Sequence, residues 1–592
     1  MTGATASPLT GRIALGLIGL AGGAAAWALR DVAPGYLADA PRQLLFLRSL
    51  AAAFFATALA LAGPLRLWPA LAAAAVFALP LAGLMTWASL RFDTVAVYLD
   101  TGHPVAAVAL LWFLPLPFLI AAIGRGTRWS DYAVLFDQSW MIVVRFTASW
   151  LFVGLVWAVL FLSNALLEIV GIDLIARLIA RGEIVFLLSG LTLGLALAVV
   201  GELSDYISSE LLLLLLRLLL PVVLVVIIVF LGAVPFRGLT QLFGEFSAAG
   251  LLLAMAFGAT MLISSGLDTG GEDRPVGRLT CFFAWSLSLL LPALAGLALF
   301  AIWLRVQQYG LTPDRVFANA LAGLALGYGL AYAASLLGGR GWAARIRRAN
   351  VLMALVAIAT FAAVFTPVLN LQKIAADNQV ARFATGKASA DELDLWTIGR
   401  DWGPAGAAAL AQLAALTEHP EATRLAERLA LLNDAESRHA FDHGDGIDDG
   451  ARARAEIASG LPVRPEGATL PGDLLESLRP WELQQIAQAC RARTANGNPA
   501  CVALVADFSE PRGGDEVLVV AQPPGSAALL RAYFRNEDAP GFSMRSPEYL
   551  AGGAVYRTAG SLIDALIDGT YSLEPVPLNA LQADGRRLFF GR

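Results

Sequence analysis

Between residues 13 and 369 the sequence returns eleven times to an apolar run long enough to cross a bilayer, whose hydrocarbon core takes about 20 residues of helix. The runs cover 13–29, 44–63, 67–90, 105–123, 141–167, 184–201, 211–232, 247–265, 279–304, 316–337 and 349–369. The first, "RIALGLIGLAGGAAAWALR", is short and rich in Ala and Gly, which also suits a cleaved signal peptide. The ten runs that follow it favour a retained span. The expected fold is therefore an α-helical polytopic membrane bundle over 1–370, followed by a small α+β soluble domain over 371–592.

Charge separates the two parts. Residues 1–370 hold 21 Arg and 17 Asp or Glu, whereas 371–592 hold 21 basic and 30 acidic residues. The acidic balance of the second part excludes nucleic acid as a partner, because phosphate binding needs clustered Lys and Arg. Lysine occurs only at Lys373 and Lys387, which reads as base-composition bias.

Arginine placement in short loops sets the expected orientation. Arg340, Arg345, Arg347 and Arg348 crowd the loop between the tenth and eleventh runs. Placing that loop in the cytoplasm puts ten loop arginines inside and eight outside, with the N-terminus inside and everything after Leu369 outside. The expected location is the inner membrane of a bacterium, with a periplasmic C-terminal domain.

Cys490 and Cys501 flank an "NGN" turn in that outer part. In an oxidising compartment such a pair closes a disulfide, and this is the expected state. A metal pair and two unrelated thiols are the alternatives. No CxxC and no intervening His favours the metal. Cys281, inside the ninth run, reads as a small core residue.

"YGLTPDR" (309–315) reads as a helix start after Tyr309: Thr312 caps, Pro313 suits the first helical position, and Asp314 meets the positive helix end. "GIDLIARLIARGE" (171–183) reads as a short amphipathic helix on the membrane surface. Ionisable residues near spans are few. Arg145 and Arg217 fall near the cytoplasmic ends of the fifth and seventh runs, where snorkelling reaches water. Asp137, Glu202, Asp205 and Glu210 border the same surface, so Asp137, Arg145, Glu202, Asp205 and Arg217 form a candidate polar cluster at the membrane interface. No carboxylate or His lies at mid-depth, which speaks against a proton- or sodium-coupled pump. Pro115, Pro117, Pro221 and Pro292 are expected to break helices within their spans, and broken helices can line a transport site.

In the C-terminal part, 407–416 and 420–432 read as amphipathic helices and the Gly/Asp-rich stretch 434–470 as loop. "CVALVADF", "DEVLVVAQ" and "ALLRAYFR" read as strands. His439, Asp442, His443, Asp445, Asp448 and Asp449 fit no defensible metal spacing. Asp507, Glu510, Asp515 and Glu516 lack the alternating oxygen ligands of a calcium loop. No nucleophile–base pair or phosphate-cradling glycine motif occurs, and no cofactor is indicated.

"EIVGIDLIARL", "RVQQYGLTPDR" and "DNQVARFATGKASADELDLWTIGRDWGPAGAAALAQL" resemble the bacterial membrane proteins grouped as domain of unknown function 4153, over about residues 40–420. The strongest likeness is "YGLTP" followed by Gln379–Arg382, then Asp394-Leu-Trp and Gly403. Asp314 stands where members often carry Asn, and the paired-cysteine tail also looks similar in some members. The resemblance implies the architecture and carries no activity or catalytic residue with it. The leading expectation is a structural or accessory membrane protein, set in the lipid bilayer, whose C-terminal domain binds a protein partner. A transporter or channel is the alternative, and a membrane enzyme ranks last.

Overall fold

A computed structural model describes residues 8–124, 128–202, 209–237, 248–267, 277–443, 447–508, 516–524, 528–536, 541–545, 559–573, 580–583 and 586–589. Eleven of its helices are long and apolar enough to cross a membrane. They are α1 (Gly11–Tyr36), α2 (Pro41–Leu61), α3 (Leu67–Ser89), α4 (His103–Ile123), α5 (Tyr132–Ile169) and α6 (Gly182–Glu202), then α7 (Leu213–Phe236), α8 (Ala249–Leu267), α9 (Arg278–Tyr309), α10 (Pro313–Leu336) and α11 (Trp342–Val364). Each overlaps one apolar run. At 38 residues, α5 is about 57 Å long, nearly twice the bilayer core.

The prolines act unequally. α4 is interrupted between Phe113 and Leu116, at Pro115, as expected, and Pro117 sits in the first turn of the segment that follows. Pro221 and Pro292 instead lie within continuous helices, against expectation. A membrane helix absorbs a proline when a neighbour packs into the space around it. Here Gly329 of α10 does so: a Cβ there would lie 2.9 Å from Pro292 N.

The Ala/Gly richness of α1 has a packing reason. Gly19 and Gly23 on α1 face Gly190 and Gly194 on α6, so both helices present glycines four residues apart. A Cβ on Gly190 would lie 2.2 Å from the Gly19 carbonyl oxygen, and one on Gly23 would lie 2.2 Å from that of Phe186. Without side chains in the way the two backbones touch, the close approach that small residues permit between membrane helices.

Compactness divides the chain at Leu429–Ala430. The first unit therefore continues beyond the last span through α12 (Leu371–Ala384), α13 (Leu395–Asp401) and α14 (Gly403–Ala414). Side chains cap two of these starts, Asn370 accepting from Lys373 N and Asp394 from Thr397 N, each at 3.1 Å. Gly403 (φ +55°) passes against Arg91, whose carbonyl oxygen a Cβ would approach to 2.4 Å. The surface helix expected over 171–183 is shorter, Leu174–Ile179.

In the second unit five strands run in the order β1 (Val463–Arg464), β2 (Cys501–Ala506), β3 (Glu516–Ala521), β4 (Leu529–Arg535) and β5 (Phe542–Arg545). β1 is parallel to β2 and the others are antiparallel, with Cys501 opposite Ala521 and Val517 opposite Tyr533. Alternation sends Cys501, Ala503, Val517 and Val519 into one core and Val502, Leu504 and Val520 into another. The first core is covered by α15 (Ile447–Gly460) and α16 (Pro480–Arg491), the second by α17 (Gly560–Ile567). The loop expected over 434–470 is thus corrected: Arg438–His443 is helical, and α15 buries Ala453 and Ile457 one turn apart. Its Gly and Asp residues masked that i, i+4 spacing. A second pair, β6 (Ala580–Ala583) and β7 (Arg586–Phe589), is antiparallel.

Candidate functional site

A hydrogen-bonded group of buried and half-buried side chains inside the helical bundle joins four helices. Tyr332 of α10 is fully buried; its hydroxyl donates to Asn350 Oδ1 of α11 and lies 3.1 Å from Ser264 Oγ of α8. Asn350 Nδ2 donates to Ser264 Oγ at 3.1 Å and to the Tyr132 hydroxyl, at the start of α5, at 3.4 Å. Ser264 also bonds back to Thr260 O, as Thr260 does to Ala256 O, so their own helix holds both hydroxyl side chains in place. Away from water an unmet polar group is costly, and here each partner satisfies another.

This knot lies at one end of a cavity of about 560 Å³. Its wall is apolar and aromatic, including Phe113, Phe136, Phe257 and Phe361, and its polar contributions are Tyr132, Ser139, Thr260, Ser264, Tyr328 and Asn350. None of the described residues that line it carries a formal charge. From Asn350 to Phe361, both lining residues of α11, the helix rises about 16 Å, half the bilayer core. Pro117, at the break in α4, is part of the wall; Pro221 is not. The size and lining fit a hydrophobic ligand with a small uncharged polar head.

The helix-start motif folds as expected. Thr312 Oγ1 accepts from Arg315 N at 3.3 Å, Pro313 occupies the first turn of α10, and Asp314 follows it. The structure adds a partner: Gln379 Nε2 donates to Tyr309 O and Leu311 O at 3.1 and 2.9 Å, and Asn378 Oδ1 accepts from Leu311 N at 2.8 Å. Arg382 donates to the carbonyls of Val306, Gln307 and Gln308, closing the C-terminus of α9. Two stretches about seventy residues apart thus form one clamp around Gly310.

The expected polar cluster is distributed as follows. Glu202 pairs with Arg12, Nε to Oε1 at 3.0 Å. Arg217 donates Nε to Ser265 O at 3.3 Å, and Asp137 is exposed on α5. Arg145 does not snorkel: it is 6% exposed, packed against Gly63 and Gly201, with Nη2 3.4 Å from Leu197 O near the C-terminal end of α6. That end carries partial negative charge, which suits a guanidinium. Asp205 lies outside the described residues, as do Arg125, Arg274, Asp445, Glu510 and Asp515.

Cys490 and Cys501 form the expected disulfide, tying α16 to β2. The intervening turn is held by buried Asp564, which accepts from Thr494 Oγ1 at 2.7 Å and Asn498 Nδ2 at 2.9 Å. Among the described residues no group of three or more His, Cys, Asp or Glu converges as metal ligands would.

Sequence reading passed over the Tyr132–Ser264–Tyr332–Asn350 knot because it has no charge. Asn350, eight residues into an apolar helix, was the legible signal. It also passed over His103, buried with its Nε2 3.4 Å from Gln372 Nε2. No family model, no curated protein and no solved structure matches this chain.

Proposed function

We propose that this integral membrane protein is an accessory protein that binds an uncharged, hydrophobic ligand within its helical bundle, polar head against Asn350. The observation that carries the reading is the 560 Å³ cavity with an uncharged hydrogen-bonding knot at one end. Apolar burial supplies the affinity, and the amide and hydroxyls fix which end of the ligand enters. Water-filled transport paths are lined by polar groups along their length, whereas this wall is mainly apolar and its described residues carry no formal charge.

In this reading the protein sits in a bacterial inner membrane, with the arginine-rich segment 340–348 at the cytoplasmic side and the α+β unit in the periplasm, where it meets a protein partner. The disulfide fits that oxidising compartment. Kinship with the domain of unknown function 4153 proteins remains part of the proposal; the packing of "YGLTP" against Gln379–Arg382 supports treating those two stretches as one motif.

The test is photo-crosslinking of the full chain in membranes with a diazirine-bearing long-chain alcohol. Labelled peptides from α5, α8 and α11, reduced by Ala354→Trp, support the reading. Labels confined to lipid-facing helix surfaces and unaffected by the substitution refute it. Transport is the second reading, favoured by the break in α4 beside the cavity. It requires movement of the alcohol between leaflets of reconstituted vesicles, which binding alone does not produce.

A further inference from the structure

A second intramembrane cleft, of about 770 Å³, lies between α1, α2, α5 and α6. Small residues open it: Gly19, Gly22, Gly23 and Ala26 from α1, and Ala51, Ala52 and Ala56 from α2. Aromatic side chains, among them Phe55, Phe186 and Trp150, give it apolar walls. Unlike the first cavity it carries charge. Arg30 and Arg48 line one end, and no carboxylate is among the described lining residues. Arg30 Nε lies 3.7 Å from the carboxylate of its sequence neighbour Asp31.

Both guanidiniums are held yet exposed. Arg48 donates Nε to Leu29 O at 3.0 Å, leaving the other end of its fork outward. Arg30 stands 5.5 Å above the ring of Phe186. Leu29 and Arg30 belong to a π-helical turn, Ala28–Val32, inside α1; such turns often mark functional positions in helices. From Arg30 to Gly19 the helix rises about 16 Å, one leaflet of the bilayer core. The cleft therefore has the depth of one acyl chain and a cationic mouth at headgroup level, on the side of the 37–40 loop.

We infer that this cleft holds one anionic phospholipid, its phosphate on Arg30 and Arg48 and an acyl chain between α1 and α2, along Ala26, Ala52 and Ala56. Charge complementarity selects the occupant. A neutral or zwitterionic lipid fills the apolar part equally well but gains less from the two arginines at the mouth, and free phosphate lacks the chain.

The experiment uses the full chain in nanodiscs of phosphatidylcholine doped with phosphatidylglycerol whose acyl chains are brominated. Trp150 lines the cleft, so bromine in the bound chain quenches it; the signal is read as the difference between wild type and Trp150→Phe. The expected result is half-maximal quenching at a low mole fraction of brominated phosphatidylglycerol, unchanged by added inorganic phosphate. Brominated phosphatidylcholine should quench only in proportion to its bulk content. Arg30→Gln with Arg48→Gln should raise the half-maximal fraction about thirtyfold, roughly a factor of five for each arginine near an anionic group. Equal quenching by both lipids, or a double variant that behaves as wild type, overturns the assignment. If the double variant does not fold, Ala52→Phe, which fills the cleft and keeps both arginines, should abolish the phosphatidylglycerol preference. Its persistence likewise overturns the assignment.

Discussion

Replacing Gly310 by alanine tests the clamp between the α9–α10 turn and α12. Gly310 has φ +76° and ψ −178°, a backbone region that is almost exclusively glycine's. Holding alanine there costs about 1–3 kcal/mol. The new Cβ would also lie 2.6 Å from Gln379 Nε2 and 2.7 Å from Arg382 Cδ. Both side chains must withdraw, and Gln379 then gives up its two bonds to Tyr309 O and Leu311 O, each worth about 1 kcal/mol. The expected loss is about 3–5 kcal/mol. Gly339→Ala isolates the strain, since that glycine has φ +62° and open space around its Cβ position; it should cost about 1 kcal/mol. Unfolding in mixed micelles with increasing SDS measures both. Gly310→Ala combined with Gln379→Ala should be less destabilising than the sum of the single changes, because the overlap is already relieved. Equal losses for Gly310→Ala and Gly339→Ala, or strict additivity in the double variant, would refute the clamp.

Three further outcomes follow from the same coordinates. Gly190→Ala sets a Cβ 2.2 Å from Gly19 O and should cost about 1–3 kcal/mol by forcing α1 from α6, read as lower SDS resistance of the full chain; an unchanged midpoint refutes backbone contact there. Opening the disulfide should destabilise the second unit by about 2–3 kcal/mol, since the bridge closes a loop of 11 residues; denaturation with and without reductant measures it, and coincident curves refute it. Glu456, bonded to Arg491 and Arg452, is held below the usual carboxylate range by the Arg491 hydrogen bond first. A depressed carboxylate contributes stability above its unfolded pKa and loses it as pH falls through the folded value. The acid limb of unfolding should therefore flatten in Glu456→Gln, and an unchanged limb counts against the pairing.

The architecture was legible because the physics that sets it is local. A run of apolar residues demands a helix wherever it meets lipid, so all eleven spans could be counted without knowing their neighbours. The same holds for the Thr312-Pro313-Asp314 start, whose cap reaches only three residues ahead. The limits of β2, β3 and β4 followed from their apolar strand-like runs, and the disulfide from two cysteines in a polar stretch, whereas β1, β5, β6 and β7 were not expected. Where a residue's role depends on a distant partner, the reading failed. Arg145 looked like a snorkelling arginine; it packs against Gly63 in the turn after α2 and Gly201 on α6. Pro292 looked like a break because Gly329 was not seen beside it. The helix over 447–460 was lost because glycine and aspartate signal loop locally, while Ala453 and Ile457 matter only through the core they enter.

The candidate site belongs to this second kind. A search for function inside a membrane begins with charge, since charge there is expensive and rarely accidental. Charges found that way turned out to sit on a helix end or to pair with one another: Arg217 on the Ser265 carbonyl near the end of α8, Glu202 with Arg12. The cavity instead collects tyrosine, serine, threonine and asparagine, types that one at a time pass as ordinary residues of a membrane helix. Each can bond to its own backbone, as Ser264 and Thr260 do, and so asks for no partner in sequence. Their meaning lies in convergence. Ser264, Tyr332 and Asn350 come from three helices whose order in the chain says nothing of which faces meet. An uncharged site is therefore visible only once packing is known, and a ligand recognised there is selected by hydrogen-bonding shape and apolar fit rather than by charge.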